Sequence, residues 1–430
     1  MALPQAKQDL TDAALAVSSP LMGGWAQAAQ EAARGRVAAL GLPVRRDEYW
    51  KYTNPMAWTG DKPYDTATDA KTTFDGAKPV NIVFVDGVFD ADASDALTLD
   101  GVTIERLSLA AEADLHWAKG LFGVLEAASN EAARKAGAAL FKPVARPMAA
   151  LNTALAGEGL LIHVTGTPDR PIRLSYRSTG GDAMLHHVIK VDAGASLTLL
   201  EEGLPGARSN TMIEVDIADT GAFHHIRLQG PEADHATLTN LFARLGTEST
   251  FKSFGMAANG KATRNEAVLE LTGDNAIAHI AGVALGDGDF HHDDTVYITH
   301  DAAHCESRQV YKKVLKNGAV GVFQGKILVQ PDAQKTDGYQ ISQSLLLDDD
   351  SQFLAKPELE IYADDVACSH GSTSGAIDET ALFYLRSRGV PLSEAQALLT
   401  LAFMAEALDE IEDETLAEMV GDTLESWLRA

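Results

Sequence analysis

GASLTLL at 194–200, GAFHHIR at 221–227, ESTFKSF at 248–254 and NAIAHIA at 275–281 decide the fold class of this chain. The four segments begin at a constant step of 27 residues, and each one has the pattern of a short strand. One coil of a β-solenoid uses a similar number of residues, so the step predicts stacked coils. The repeat is degenerate, and a two-sheet sandwich with turns about every 8 to 12 residues is the alternative.

The strand pattern extends outward from this repeat over 159 to about 365, with short Gly, Asp, Asn and Pro turns between the strands. No long helical pattern separates these strands, which excludes a doubly wound sheet. Strands begin earlier, with NIVFVDGVF at 81–89, and a stretch rich in Ala, Leu and Glu follows at about 107–156. We therefore predict a mainly β core over 81–365 that contains one helical insertion.

Both ends of the chain have a helical composition. Residues 1–80 are predicted as an N-terminal helical region followed by an extended loop, RRDEYWKYT at 45–53, that packs on the core. Residues 366–430 are predicted as a C-terminal helical domain. The apolar stripe of its helix at 394–408 fits packing within the bundle, and a groove for a partner is the alternative.

Charge and cysteine content exclude several classes of protein. The 430 residues include 35 Lys and Arg against 61 Asp and Glu, a net charge of −26. Such a chain is repelled by nucleic-acid phosphates and by anionic membranes, so we expect neither as a partner. No apolar run reaches the roughly 18 to 20 residues of a membrane helix, and the first residues lack the apolar centre of a signal peptide. Cys305 and Cys368 are the only cysteines, which fits a cytoplasmic protein and excludes a four-thiolate metal site within this chain.

The segment ACSHGSTSG at 367–375 is the first candidate for chemistry. If it is extended, Cys368 and His370 lie two residues apart and share a face, where they offer a thiol and an imidazole to one metal or sulfur atom. Its glycines indicate an exposed, adaptable loop. Asp364 and Asp365 are expected to disfavour the thiolate, whereas a protonated His370 would favour it. The alternative is a buried structural cysteine beside a histidine in a turn.

The segment HHDDTVYITHDAAHC at 291–305 is the second candidate, because it is dense in metal-binding residue types. These residues are His291, His292, Asp293, Asp294, His300, His304 and Cys305. Their spacing fits no helical zinc motif, and a solvated strand pair with carboxylates in its turns is the competing interpretation. The glycine-rich GAVGVFQGKI at 318–327 lacks the spacing of a phosphate-binding loop, and no hydrolase motif appears elsewhere.

Six blocks distributed along the chain carry a more specific signal. They are GLPVRRDEYWKYT at 41–53, AALNTAL at 149–155, SRQVYKKVLKNGAVGVFQGKILV at 307–329, QKTDGYQISQSLLL at 334–347, PELEIYADDVACSHGSTSG at 357–375 and IDETALFYLRSRGV at 377–390. Together they resemble the SufB/SufD family of iron–sulfur cluster assembly proteins. The resemblance covers nearly the whole chain, and the first block together with the low cysteine count favours the SufD branch.

The resemblance implies a right-handed parallel β-helix with an N-terminal helical region and a C-terminal helical segment. It also implies a non-catalytic subunit of an assembly complex driven by the ATPase SufC. SufB would pair through the β-helix, and a homodimer of the isolated subunit would use the same strand edge. SufC would contact the C-terminal helices, where Phe383, Tyr384, Leu385 and Arg386 are the matching candidates.

By the same resemblance, His370 and Cys368 serve cluster building at the interface between the two homologous subunits. We expect no catalytic residue and no stably bound metal or cofactor in the isolated chain, with a transient iron–sulfur cluster in the complex. A reduced flavin is associated with the family's complex, although the sequence contains no flavin fingerprint. Cys305 occupies a position that is often small or polar in the family, and it is not assigned to the site.

Three hypotheses for the function follow. The first is a scaffold subunit for iron–sulfur cluster assembly. The second is a metalloenzyme built on a β-helix, which predicts stoichiometric zinc or iron that is lost when His291 or His300 is replaced. The third is a purely structural partner of SufB, which predicts that a His370→Ala chain still supports cluster formation.

Overall fold

The core of the molecule is a parallel β-solenoid of about seven turns with helices before and after it. The computed structural model describes residues 3–16, 23–61, 64, 66–69, 71–128, 144–232 and 234–429. The predicted mainly β class and the solenoid are confirmed. From Leu160 onward, successive strands alternate between two largely parallel sheets, which is the arrangement of stacked coils and differs from the sandwich alternative.

The structure describes twenty strands. They are β1 (Val80–Val85), β2 (Val88–Asp90), β3 (Thr98–Leu99), β4 (Val102–Arg106), β5 (Leu160–Val164), β6 (Ile172–Arg177), β7 (Asp182–Val191), β8 (Ser196–Gly203), β9 (Arg208–Ile217), β10 (Ala222–Gln229), β11 (Ala236–Leu245), β12 (Thr250–Ala258), β13 (Ala262–Leu271), β14 (Ile277–Asp287), β15 (His291–His300), β16 (Glu306–Lys316), β17 (Val320–Val329), β18 (Asp337–Leu346), β19 (Gln352–Ile361) and β20 (Ala367–Gly375).

These strands form two ten-stranded sheets. The even sheet has the order β2-β1-β6-β8-β10-β12-β14-β16-β18-β20, and the odd sheet has the order β19-β17-β15-β13-β11-β9-β7-β5-β4-β3. All pairs along the coils are parallel, and the antiparallel pairs β1–β2, β3–β4 and β4–β5 lie together at the N-terminal end. Each coil therefore contributes one strand to each sheet.

A turn with a left-handed residue recurs from coil to coil, at spacings of 26 to 31 residues around the predicted step of 27. The left-handed residue recurs once per coil before an even strand, as Gly194, Thr220, Glu248, Asn275, His304 and Lys335, with φ between 54° and 70°. Its N–H donates to a carbonyl of the following coil, as from Thr220 to Thr247 at 2.8 Å. Only Gly and Asn adopt this conformation readily, so most of these positions carry no turn signal and the repeat looks degenerate.

Apolar side chains fill the space between the sheets and also cover the outer faces. Inside, Phe223 and Phe251 are register partners in the even sheet and pack toward residues such as Ile298 in the odd sheet. Outside, the N-terminal helices and the insertion cover the odd sheet, where Val37 and Leu238 share one cluster. The C-terminal helices cover the even sheet through a third apolar cluster. The inner coils of both sheets are thus buried on two faces, whereas the last strands of each sheet are not.

Nine helices accompany the strands in the ranges given above. They are α1 (Gln5–Ala16), α2 (Gln27–Leu40), α3 (Met56–Thr59), α4 (Leu107–Ala110), α5 (Val124–Ala128), α6 (Pro147–Leu155), α7 (Glu379–Ser387), α8 (Leu392–Leu408) and α9 (Glu414–Arg429). Short 3₁₀ helices add Gly24–Ala26, Glu48–Trp50, Asp75–Ala77 and Trp117–Gly120. The insertion predicted at 107–156 contains α4, α5 and α6, and its residues 129–143 lie outside the described residues.

The predicted boundary at 366 differs from the structure. Residues 367–375 form β20, the last strand of the even sheet, so the C-terminal helices begin after Gly375. The glycines in this segment indicate a loop in the sequence, but backbone pairing with β18 holds the segment extended. Of the helices in the described part of the chain, none combines the length and the apolar character that crossing a membrane demands.

Candidate functional site

The solenoid ends on two strands whose outer edges have no partner strand among the described residues. β20 pairs with β18 on one side only, and β19 pairs with β17 on one side only. Both strands are partly or largely exposed, in contrast to the buried strands of the inner coils. Such an edge presents a row of backbone donors and acceptors to another chain. The carboxy-terminal end of the solenoid is therefore open.

Cys368 and His370 lie on this terminal strand, as the sequence predicts. They are two residues apart in β20, so both side chains leave the same face of the sheet. Cys368 is the register partner of Gly338, and His370 is the register partner of Gln340. Register partners in successive coils form a column of side chains that runs along the solenoid. Gly338 and Gln340 belong to columns of the even sheet that point inward, so the shared face of Cys368 and His370 is the inner face of the last coil.

Cys368 points into the end of the solenoid and is half-buried. A Cβ atom added to Gly338 would lie 3.2 Å from the Cys368 Sγ, so the glycine in the preceding coil makes room for the sulfur. The thiol packs beside an apolar cluster that includes Ile327 and Val329. Burial raises the pKa of the Cys368 thiol above its ordinary value, and the charge of Asp337 adds to the effect. The cysteine is therefore protonated in the isolated chain.

The carboxylate that acts on Cys368 differs from the ones expected from the sequence. Asp337, the first residue of β18, contributes to the raised pKa of the thiol. Asp365 forms an ion pair with Lys335 instead. The sequence did not reveal Asp337 or Gly338 because their importance depends on which residue of one coil lies over the next. β18 and β20 pair with an offset of 30 residues. A comparison of the sequence with itself at this offset would have placed Asp337 and Gly338 beside the segment that contains Cys368.

His370 is exposed, and no described residue forms a hydrogen bond with its ring. The column beneath it changes character along the solenoid. Toward the middle the column contains His225 and Ile280, and at the open end it contains Gln309 and Gln340. The neighbouring column ends in the hydrogen-bonded pair Ser342 and Ser372, at 2.7 Å. The inner face around the candidate site is thus polar.

The four candidate residues for ATPase contact lie on α7. Phe383 is 73% exposed and Tyr384 is 54% exposed, although both are large aromatic residues. Leu385 is partly buried and Arg386 is exposed. The helix buries none of its residues, and Asp378 caps it by accepting from the N–H of Thr380 at 2.7 Å. Exposed aromatic residues on an otherwise solvated helix are typical of a binding surface.

A second apolar surface of the C-terminal helices is a groove between α8 and α9. It is lined by Ala397, Leu398 and Leu401 of α8 and by Leu428 of α9, with charged residues at its rim. Leu392 and Leu398 are exposed, while Ala395, Met404 and Ala407 of the same helix are buried. The continuous apolar stripe of α8 thus packs within the bundle on one side and remains open on another.

The residues at 291–305 do not form one site. Strand alternation in β15 turns His292 and Asp294 inward, where their side chains lie 3.0 Å apart. His291 instead faces outward and meets Thr53 at 2.9 Å. The expected solvated strand pair is wrong, because both sheets are covered and β15 is buried almost throughout.

Three other residues of this run already have partners, whereas His304 is exposed in the turn before β16. Asp293 is paired with Arg264, and His300 meets Ser307 at 2.8 Å. Burial lowers the pKa of His300 to about 4, so the ring is neutral at pH 7. Cys305 is buried, with its thiol donating to the Gly273 carbonyl at 3.3 Å. Within the described ranges, no group of three His, Cys, Asp or Glu is arranged to hold a metal ion.

Comparison with known proteins agrees with this architecture. The family model described as "SUF system FeS cluster assembly, SufBD core domain" matches residues 175–403, more than half of the chain. The chain is 30% identical over 403 residues to the iron–sulfur cluster assembly protein SufD of Escherichia coli, covering 88% of each protein. It is 26% identical over 289 residues to SufD of Bacillus subtilis, covering 65% of this chain and 66% of the relative. An iron–sulfur cluster assembly SufBD family protein of Synechocystis is 26% identical over 415 residues, covering 89% of this chain and 86% of the relative. The chain therefore belongs to the SufB/SufD family of iron–sulfur cluster assembly proteins.

Proposed function

We propose that this chain is a non-catalytic scaffold subunit of an iron–sulfur cluster assembly complex. In this proposal it pairs with a SufB chain through the open end of its solenoid and binds the ATPase SufC through its C-terminal helices. The observation that carries the proposal is the position of Cys368 and His370 on the inner face of the unpaired terminal strand. Two free thiols suit a reducing cytoplasm as the place of this work.

The number of ligands supports a shared site. A four-iron, four-sulfur cluster is usually held by about four ligands. The open end of the solenoid offers one thiol, from Cys368, and one imidazole, from His370. The cluster is the cargo of the complex, and a second subunit must supply the remaining ligands. Because β19 and β20 present unpaired edges, a homologous chain that adds its own strands there would bring ligands to the same place.

The raised pKa of Cys368 limits what the isolated chain can do. A protonated thiol is a weak ligand and a weak nucleophile. A cation supplied by the partner, or an incoming iron ion, would lower the pKa of the thiol and make it a ligand. We therefore propose that cluster chemistry begins only after the subunits have paired, and that the isolated chain holds no cluster stably.

The exposed helix α7 supports the second contact. Phe383 and Tyr384 offer apolar area, and Arg386 on the same helix offers a charge-assisted hydrogen bond. We propose that these residues, with Leu385, contact the ATPase, and that nucleotide-dependent movement of the ATPase is transmitted through α7 to the end of the solenoid. Only three residues separate the end of β20 from the start of α7. A displacement of α7 would therefore pull directly on β20.

The test is to co-express the chain with SufB and SufC from the same source and to purify the complex anaerobically. Wild-type chain and a His370→Ala chain are compared for the mass of the complex and for its iron and sulfide content. We expect the variant complex to form with unchanged mass and to hold less than a tenth of the cluster content. The matched control is His304→Asn, which removes an exposed histidine from the turn before β16. Asparagine tolerates the left-handed backbone of that turn, so the control chain should fold normally.

Each result separates the hypotheses. If the His370→Ala complex loads clusters as the wild type does, the chain is a purely structural partner and the scaffold proposal is wrong. If Phe383→Ala removes SufC while SufB stays bound, the two interfaces are independent, as proposed. Stoichiometric zinc or iron in the isolated chain that is lost in His291→Ala would instead favour the metalloenzyme.

A further inference from the structure

Gln340 lies directly below His370 in the stack of coils. The two residues are register partners in the parallel pair β18–β20. Their side chains therefore leave the same face of the even sheet on strands about 4.8 Å apart. Gln340 is fully buried, whereas His370 is exposed on the terminal coil. Gln340 is thus the buried side chain that underlies the candidate histidine.

Two contacts fix the amide of Gln340. Its Nε2 donates to the Oε1 of Gln309, the next residue down the same column, at 3.0 Å. From the odd sheet, Gly325 leaves the space that the amide occupies, because a Cβ atom at this glycine would lie 1.5 Å from the Nε2. This gives a physical reason for a glycine at that position of the segment 318–327. Any larger residue would displace the amide of Gln340.

One end of this fixed amide is unsatisfied. The Oε1 of Gln340 is buried and has no hydrogen-bond partner among the residues that the structure describes. A buried acceptor without a partner is unfavourable, so such an atom calls for a donor. The position below it in the column is taken by Gln309, and the position above it is His370. An imidazole N–H is a donor of the required kind.

We infer that Gln340 is a positioning residue for His370. Its Oε1 accepts a hydrogen bond from one ring N–H of His370, which selects one tautomer and turns the lone pair of the other nitrogen toward the open end. Histidines that bind metals commonly have a partner of this kind, which fixes the orientation of the ring. The histidine reaches the bond by rotation about its side-chain torsions. The inference rests on the proposed role of His370 in cluster assembly.

The experiment compares three variants with the wild type. Gln340→Leu removes the acceptor at similar volume. Gln340→Glu keeps an acceptor, and rotation of the Gln309 amide would let its Nε2, which has no partner among the described residues, donate to the new carboxylate. Gly325→Ala is a second route to the same effect as Gln340→Leu, since it displaces the amide without changing Gln340. Gln324→Leu is the matched control, because Gln324 is an equally buried glutamine on β17 that contacts Thr295 and not the His370 column.

The first measurement uses the isolated chain labelled with ¹⁵N-histidine. The ring-nitrogen signals of His370, assigned from their loss in His370→Ala, report the tautomer. We expect one dominant tautomer in the wild type and in Gln340→Glu, and a mixture in Gln340→Leu and Gly325→Ala. A purely structural role of Gln340 would leave this signature unchanged, so identical tautomer populations in all variants would overturn the inference.

The second measurement is the cluster content of the complex purified with SufB and SufC. We expect a roughly tenfold loss in Gln340→Leu at unchanged complex mass, near-normal content in Gln340→Glu, and normal content in Gln324→Leu. Normal loading by Gln340→Leu together with lost loading by His370→Ala would refute the positioning role alone. Normal loading by His370→Ala would refute the proposed function instead, and the tautomer measurement would still decide whether the bond exists.

Discussion

At the scale of single residues, the state of Cys368 is the property that a simple reagent can test. Burial, with the charge of Asp337, raises the pKa of its thiol above the ordinary value for cysteine. The thiol is then mainly protonated at pH 7. We predict that iodoacetamide labels Cys368 slowly at pH 7 and about tenfold faster for each unit of pH up to 9, because the thiolate is the nucleophile. Mass spectrometry of the labelled peptide measures the rate.

The second cysteine provides the internal control for this labelling. Cys305 is buried and donates to a backbone carbonyl, so it should react only after the chain is unfolded. A Cys368→Ser chain is therefore expected to incorporate no label in the native state. Labelling of native Cys368 at pH 7 as fast as a free cysteine would contradict the protonated thiol described above.

At the scale of elements, a left-handed turn recurs before each of the strands β8, β10, β12, β14, β16 and β18. Gly194 has a φ of 70°, and no atom outside its own chain neighbours lies closer than 3.8 Å to an added Cβ. Gly194→Ala is therefore disfavoured by the backbone conformation alone, and we predict a loss of about 1–2 kcal/mol in the free energy of unfolding. Urea denaturation followed by circular dichroism measures the change.

A glycine in ordinary strand conformation gives the opposite expectation. Gly255 in β12 has open space around an added Cβ and no positive φ, so Gly255→Ala should be neutral or slightly stabilising. The difference in sign between these two identical substitutions isolates the cost of the left-handed turn. Equal destabilisation by both variants would show that side-chain volume, and not backbone conformation, decides the result.

These turns also explain what the sequence could and could not predict. The step of 27 residues predicts the solenoid correctly, and it lies within the 26 to 31 residues that separate the left-handed turns of successive coils. The same turns make the repeat weak, because Thr220, Glu248 and Lys335 occupy positions that glycine or asparagine would mark. The shared face of Cys368 and His370 follows from strand periodicity. Their place on a terminal strand does not, since it depends on how many coils the chain completes.

At the scale of the whole molecule, charged contacts attach the C-terminal helices to the even sheet. The turn between α8 and α9 carries Glu410, which meets His279 of β14 at 2.9 Å, and Glu412, which meets Lys252 of β12 at 2.9 Å. The hydrogen bond with His279 lowers the pKa of Glu410, and the bond with Lys252 lowers the pKa of Glu412. Apolar contacts of α8 and α9 with the sheet add to this attachment.

The direction of these pKa shifts predicts an acid-sensitive attachment. A carboxylate with a lowered pKa in the folded state stabilises that state above about pH 4.3, the ordinary value for glutamate, and loses the contribution as the pH falls further. We predict that α8 and α9 lose hydrogen-exchange protection at a higher pH than the coils do as the pH is lowered from 6 to 3. The partly buried Glu410 should account for about 1–2 kcal/mol of this attachment, and the exposed Glu412 for less.

The matched variant removes the titration without removing the helices. In Glu410→Gln the charge is absent at every pH, so the protection of α8 and α9 should be lower at pH 6 and should change less on acidification. Glu425→Gln alters a carboxylate of α9 whose one ion pair among the described residues is with Arg429 of the same helix, and it should behave as the wild type does. If the helices and the coils lose protection together in all three chains, the helical segment and the solenoid unfold as one cooperative unit. That result would contradict the proposal that movement of α7–α9 relative to the open end transmits the action of an ATPase.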